Sequence, residues 1–136
     1  MSRSGYSDDC NGAELNLWRG AVNSAINGKR GQAFLRETLA ALDAMPDKKL
    51  TTDTLHEPAN GEFCTLGAVG ASRSLDMKPL EYSDRGHIAR AFGISEAMAA
   101  EIMFENDEGN WRGTETPEQR WARMRAWVHG NIKEPS

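Results

Sequence analysis

A chain of 136 residues and 15.0 kDa is long enough to bury one core and too short for two ordinary domains. Apolar residues make up 39 % and charged residues 26 %, a soluble globular composition, and the longest apolar stretch, residues 66–71, falls far short of the roughly 18 residues of a spanning helix. A formal net charge of -4 excludes a generally basic nucleic-acid binder but leaves room for a local basic patch.

Residues 1–9 hold no apolar run of the kind that marks secretion, and Cys10 and Cys64 form no paired pattern. The expectation is a cytoplasmic protein of a reducing compartment without a disulfide scaffold. The elements predict a mainly α, compact single domain over residues 1–136, with about six helices and one small β-hairpin; residues 1–12 and 133–136 are expected to be loosely ordered. Leu15, Trp18, Val22, Ala25 and Ile26 recur at helical spacing and predict an amphipathic helix over 14–27, stopped by Gly28. After the connector Gly28-Lys29-Arg30-Gly31, a second stripe of Phe34, Leu35, Leu39, Leu42 and Met45 runs to Pro46, which cannot donate into a continuing helix. Between 49 and 65 the helical period is lost, with Thr51, Thr52 and Thr54 beside Leu50 and Leu55, and Asn60-Gly61 predicts a hairpin closed by a two-residue turn, its first arm confined to an edge or loop by Pro58.

Residues 64–75 are crowded with small side chains and predict a third helix lying close against its neighbours. Gly67 and Gly70 each cost such a helix about 1 kcal/mol relative to Ala, so something must approach both closely. Ser83 is the expected N-cap of a helix running to Phe92, Gly93 its left-handed exit, and Ser95 the cap of the next helix, from Glu96 to about Asn106. Thr116-Pro117-Glu118-Gln119 unites an N-cap, a proline at the first helical position and a capping-box glutamine, and opens a last helix bearing Trp121, Met124, Val128 and Ile132 on one face.

Five constellations bear on chemistry. His56, His87 and His129 fall in separate elements outside any metal-ligand spacing, and neither a phosphate-cradling loop nor a serine-hydrolase elbow is present, so no metal, cofactor or catalytic residue is expected. Cys64, at a helix start where the dipole lowers a thiol pKa, reads either as a cysteine-hydrolase nucleophile or as a buried packing residue, and the second reading is the commoner one. Residues 26–34, around Gly28-Lys29-Arg30-Gly31, resemble the KH-domain signature, whose Gly-x-x-Gly loop clamps single-stranded phosphates. That resemblance makes Lys29, Arg30 and Arg36 candidate anion or nucleic-acid contacts; against it stands the lack of a core strand in residues 1–13, and a solvated charged turn explains the same residues.

Residues 87–102 resemble a helix-turn-helix pair, with Ala89 in the first helix and Gly93 in the turn, but the helix that would enter the major groove carries carboxylates and no Lys or Arg. The pair is therefore expected as a packing motif. The same helix ends in Glu101, Glu105, Asp107 and Glu108, where the macrodipole disfavours negative charge by about 0.3 to 1 kcal/mol per group. With Trp111 and Arg112 just beyond, these residues are the candidate protein-contact surface; the bland reading is neutralisation by Arg120, Arg123 or Arg125. Calcium-loop spacing is missing.

Residues 2–10, 28–36, 40–43, 66–70, 104–109, 115–118 and 121–128, the last being the run Trp121-Ala-Arg-Met-Arg-Ala-Trp-Val128, together resemble a family of uncharacterised bacteriophage and prophage proteins, over nearly the whole chain. The resemblance implies a phage or prophage origin and a cytoplasmic role in a bacterium; it brings no activity or catalytic residues. The expected function is non-enzymatic binding of a host or phage protein, such as inhibition of a bacterial defence system, with single-stranded nucleic-acid binding as the alternative and a Cys64 hydrolase as a remote one. No membrane partner is expected.

Overall fold

A computed structural model describes residues 12–109 and 114–133, with side chains described from Leu17 onward. Among these residues the fold is mainly helical, with six helices and one two-stranded antiparallel hairpin: α1 (Gly12–Asn27), α2 (Lys29–Ala44), β1 (His56–Glu57), β2 (Glu62–Phe63), α3 (Thr65–Ser72), α4 (Arg85–Phe92), α5 (Glu96–Glu108) and α6 (Pro117–Asn131). Of the loose ends expected at 1–12 and 133–136, residues 1–11 and 134–136 lie outside the described residues.

The first corner is tighter than the sequence suggests. Only Gly28 separates α1 from α2, and Lys29, Arg30 and Gly31 already form the first turn of α2. The connector expected at 28–31 is corrected accordingly. The backbone of Gly31 rests on the Ala25 and Ile26 carbonyls at the end of α1, where a Cβ would fall inside the Ala25 oxygen. Glycine is there for close approach, not to open a loop.

α5 is the axis of the domain. It meets α1, α3, α4 and α6, and residues 98–103 are buried without interruption, with Asn106 one turn on. Ala99 and Ala100 keep it thin enough for neighbours on every side. The helix-turn-helix pair exists as α4, the left-handed Gly93 (φ 73°) and α5, and it is a packing device, since residues 98–103 of α5 are buried against neighbouring elements and leave no basic face for a DNA groove.

The caps carry two smaller corrections. Asp84 rather than Ser83 caps α4, accepting from the His87 amide at 3.0 Å, and α5 continues to Glu108. Ser95 accepts from the Met98 amide, and Thr116 and Gln119 complete the expected capping box. The hairpin register pairs His56 with Phe63 and Glu57 with Glu62, which leaves a four-residue loop, 58–61, in place of the two-residue turn. Pro58 occupies its first position, Asn60 Oδ1 accepts from the Glu62 amide, and Gly61, at φ 74°, donates to the Glu57 carbonyl at 2.8 Å.

One core runs through all the helices, from Val22 and Leu35 through Leu66, Val69 and Ile88 to Ile102, Met124 and Val128. Polar bonds fix its edges. Arg73 grips Glu37 with two bonds of 2.6 Å, donates to the Phe92 carbonyl at 3.1 Å and so ties α2, α3 and α4 together. Gln32 is 6 % exposed on α2; its amide donates to the Ile26 and Asn131 carbonyls and its oxygen accepts from the Lys133 amide. Lys133, the first residue of the tail expected to be loosely ordered, gives its amide to this bond.

Candidate functional site

The acidic end of α5 is built into the structure more deeply than a docking patch would be. Glu101 is 5 % exposed and lies in the interior, so it is withdrawn from the expected contact surface. Burial pushes its carboxyl above the ordinary range, Glu105 adds to the rise, and Arg19 of α1 opposes it. Burial raises Glu105 in the same way, against the pull of Arg123 and Arg19.

The cation expected from the last helix is Arg123. It donates to the Glu105 and Asn106 carbonyls at 2.7 and 3.2 Å and holds the Glu115 carboxylate at 2.6 Å, so it caps the negative end of the α5 dipole. Arg120 donates to the Leu50 carbonyl at 2.8 Å, and Arg125 pairs with Asp43 on α2. The bland reading thus accounts for Glu105, and leaves Asp107 and Glu108. Trp111 and Arg112 lie outside the described residues.

Asp107 is where separate segments converge. Its Oδ2 accepts from the Tyr82 hydroxyl at 2.6 Å, and its Oδ1 accepts from the Asn106 amide at 2.9 Å and from the Asp53 backbone N–H at 3.2 Å. Burial still raises its carboxyl above the usual range despite these three bonds, and burial likewise carries the Tyr82 phenol far above its usual value, helped by Cys64 and Asp107. Beside Asp107 opens a cavity of about 640 Å³. Ala100, Met103 and Phe104 give it an apolar wall, and Asp53, Glu81, Asp107 and Glu108 supply carboxylates from three stretches of the chain, against one cation among the described lining residues, Arg85. Asp53 (φ 65°) stands in the left-handed region, a conformation that aspartate tolerates better than most residues. An apolar hollow with this charge favours a cation borne on an aliphatic or aromatic body. Among the described residues no group of three or more His, Cys, Asp or Glu is placed to hold a metal.

No protein-family model, no curated protein and no solved structure matches the chain.

The other predicted sites resolve as follows. Cys64 caps α3, its Sγ accepting from the Gly67 amide at 3.3 Å, but the side chain is sealed and burial raises the thiol to about 12. Desolvation outweighs the amide bonds of the helix start, and Asp107 adds its own opposition, so the side chain fits the commoner packing reading rather than a nucleophile activated by the dipole. Lys29, Arg30 and Arg36 are exposed on α2. Lys29 and Arg30 border a hollow of about 200 Å³ shared with Ser95 at the start of α5, while Arg36 donates to the Lys133 carbonyl at 3.1 Å. The KH-like clamp needs a free Gly-x-x-Gly loop, and these residues form a helical turn instead. A groove of about 320 Å³ between Met45, Pro46, Ala68, Ala71 and Phe63 was not anticipated; the small residues of α3 were its one sequence signal.

The buried acids make stability depend on pH. A carboxyl whose folded pKa is raised contributes most below its unfolded value, near 4.5 for Glu101, and that contribution is lost as pH rises through the folded value. Glu101→Gln should therefore raise the melting temperature by about 3 °C at neutral pH and leave it unchanged at about pH 4. Glu37 and Asp43, lowered by Arg73 and Arg125, run the other way and are common to both proteins. Melting curves across this range decide it; a variant no more stable at neutral pH would contradict the burial cost of Glu101.

Proposed function

We propose that this chain is a non-enzymatic accessory protein of a bacteriophage or prophage that acts in the bacterial cytoplasm by binding a host or phage protein, whose lysine- or arginine-bearing segment enters the hollow beside Asp107. The phage assignment rests on the sequence resemblance. The binding assignment rests on one observation: Asp53, Glu81, Asp107 and Glu108 surround an apolar wall, with Arg85 the one opposing cation among the described residues that line it. Such a field speeds encounter with a basic partner and rejects acidic ones, and a partly enclosed carboxylate contributes more than one on an open surface. Occlusion of a component of a bacterial defence system is one task that binding of this kind serves.

The test is affinity capture from bacterial lysate with the wild type and with Glu81→Lys combined with Glu108→Lys. Both side chains lie outside the buried Asp107 network, so the variant should melt with the wild type. A partner held by the wild type, released as salt rises and lost from the double variant supports the proposal; equal capture by both overturns the assigned surface.

The alternative, single-stranded nucleic-acid binding, is favoured only by the exposure of Lys29, Arg30 and Arg36. It requires binding of an oligonucleotide that falls steeply with salt and is abolished by Lys29→Glu with Arg30→Glu.

A further inference from the structure

We infer that the acidic hollow is one half of a longer groove, and that its other half, across Tyr82, receives an apolar side chain of the same partner segment, so that the segment recognised joins an apolar residue to a basic one. This rests on the reading of the acidic hollow above and adds to it the second half of the motif. A separate cavity of about 490 Å³ is walled by Leu55, Leu75, Met77 and Leu80, and Tyr82 belongs to the lining of both cavities. Tyr82 is held between them by its 2.6 Å bond to Asp107 and forms a fixed divider. A segment lying across the phenol ring would meet carboxylates on one side and aliphatic side chains on the other.

The two halves ask for different chemistry. In the second, Asp76 and Lys78 oppose each other and His56 is stacked on Phe63 at 4.5 Å, so little net charge remains to select a cation. Leu75, Met77 and Leu80 are only partly buried and pack on the core from outside, leaving apolar surface that a Leu, Ile or aromatic side chain would cover. Met77 adds a deformable wall. Its thioether lies against Gly70, in the space that a Cβ at that position would take. The charge of the adjoining half decides the class of occupant, since among the described residues that line it four carboxylates against one arginine repel phosphates and anionic lipid headgroups alike and attract a basic stretch of protein.

The experiment pans a random-peptide display library against the immobilised full chain, against Leu80→Asp and against Gly70→Ala. Leu80→Asp places a charge in the apolar half. Gly70→Ala displaces the Met77 thioether into it while leaving every carboxylate in place, and serves also if the aspartate variant is poorly folded. The expected result is enrichment of peptides in which Lys or Arg stands close to Leu, Ile, Phe or Trp, by about tenfold over basic peptides without the apolar residue. Both variants should lose that preference and keep the basic one. Basic peptides enriched with no apolar preference, or with a preference that survives both substitutions, would overturn this inference and leave the acidic hollow standing. Absence of basic enrichment would overturn both.

Discussion

Gly67→Ala is expected to destabilise the fold by about 3 kcal/mol and to lower its melting temperature by close to 10 °C, although alanine is the better helix former. The reason lies in how α3 is docked. A Cβ at position 67 would fall inside the Leu55 carbonyl oxygen and press on the Phe63 side chain, and the first of these is backbone that no rotamer change can move aside. Relief requires α3 to retreat from the hairpin, which stretches the 3.1 Å bond from the Cys64 amide to that same carbonyl and loosens Leu55, Leu66 and Val69. Gly70→Ala in the same helix is the control. The three atoms nearest its Cβ all belong to the flexible side chain of Met77, so it should melt near the wild type. Thermal and urea denaturation of the two variants side by side measure the difference; equal behaviour would mean that the backbone approach at Gly67 is not what limits the packing.

Asn106→Leu should be costlier still for its size, about 4 kcal/mol, and should also spoil the acidic hollow. Asn106 Oδ1 accepts from the Thr65 amide at 3.0 Å and from the Thr65 hydroxyl at 2.8 Å, while its amide donates to the Thr51 carbonyl and to Asp107, both at 2.9 Å. Leucine matches the volume and makes none of these bonds. Thr65 is fully buried, so its donors would be left without partners where water cannot reach them, at about 1 to 3 kcal/mol each. The segment at 51–53 would also lose its anchor, and with it the placing of Asp53 against Asp107. Denaturation gives the first effect. The second is read in the wild-type partner or peptide, whose binding should fall in Asn106→Leu even at temperatures where that variant remains folded.

Much of the helical framework could be read from local signals, because those signals are local physics. Thr116, Pro117 and Gln119 satisfy the open amides of their own helix, Ser95 does the same for α5, and Gly93 leaves α4 by a conformation that bulky residues avoid. The demand that something lie close to Gly67 and Gly70 also followed from helix propensity, and the structure supplies Leu55 and Met77. What could not be read depends on distant partners. Lys29-Arg30-Gly31 has the polarity of a loop, and only the carbonyls at the end of α1 reveal that Gly31 belongs to a helix. α5 shows no apolar stripe because residues 98–103 are buried one after another around the helix, while most of its carboxylates collect at the C-terminal end. The hollow escaped notice for the same reason: Asp53, Glu81 and Asp107 are far apart in the chain and meet through Asn106 and Tyr82. Glu101 was misread because a carboxylate in sequence carries no sign of its burial.

The Gln32 clamp has a consequence for how the protein is made. Its amide reaches the Asn131 carbonyl across 99 positions of sequence, and its oxygen takes the Lys133 amide across 101. At ribosomal speeds of about 5 to 20 residues per second, α2 leaves the exit tunnel roughly 5 to 20 s before the strand of chain that completes its hydrogen bonding. During that interval the face of α2 destined for α6 stands open, and a nascent chain in that state is a natural client for a chaperone until the last turn of α6 arrives.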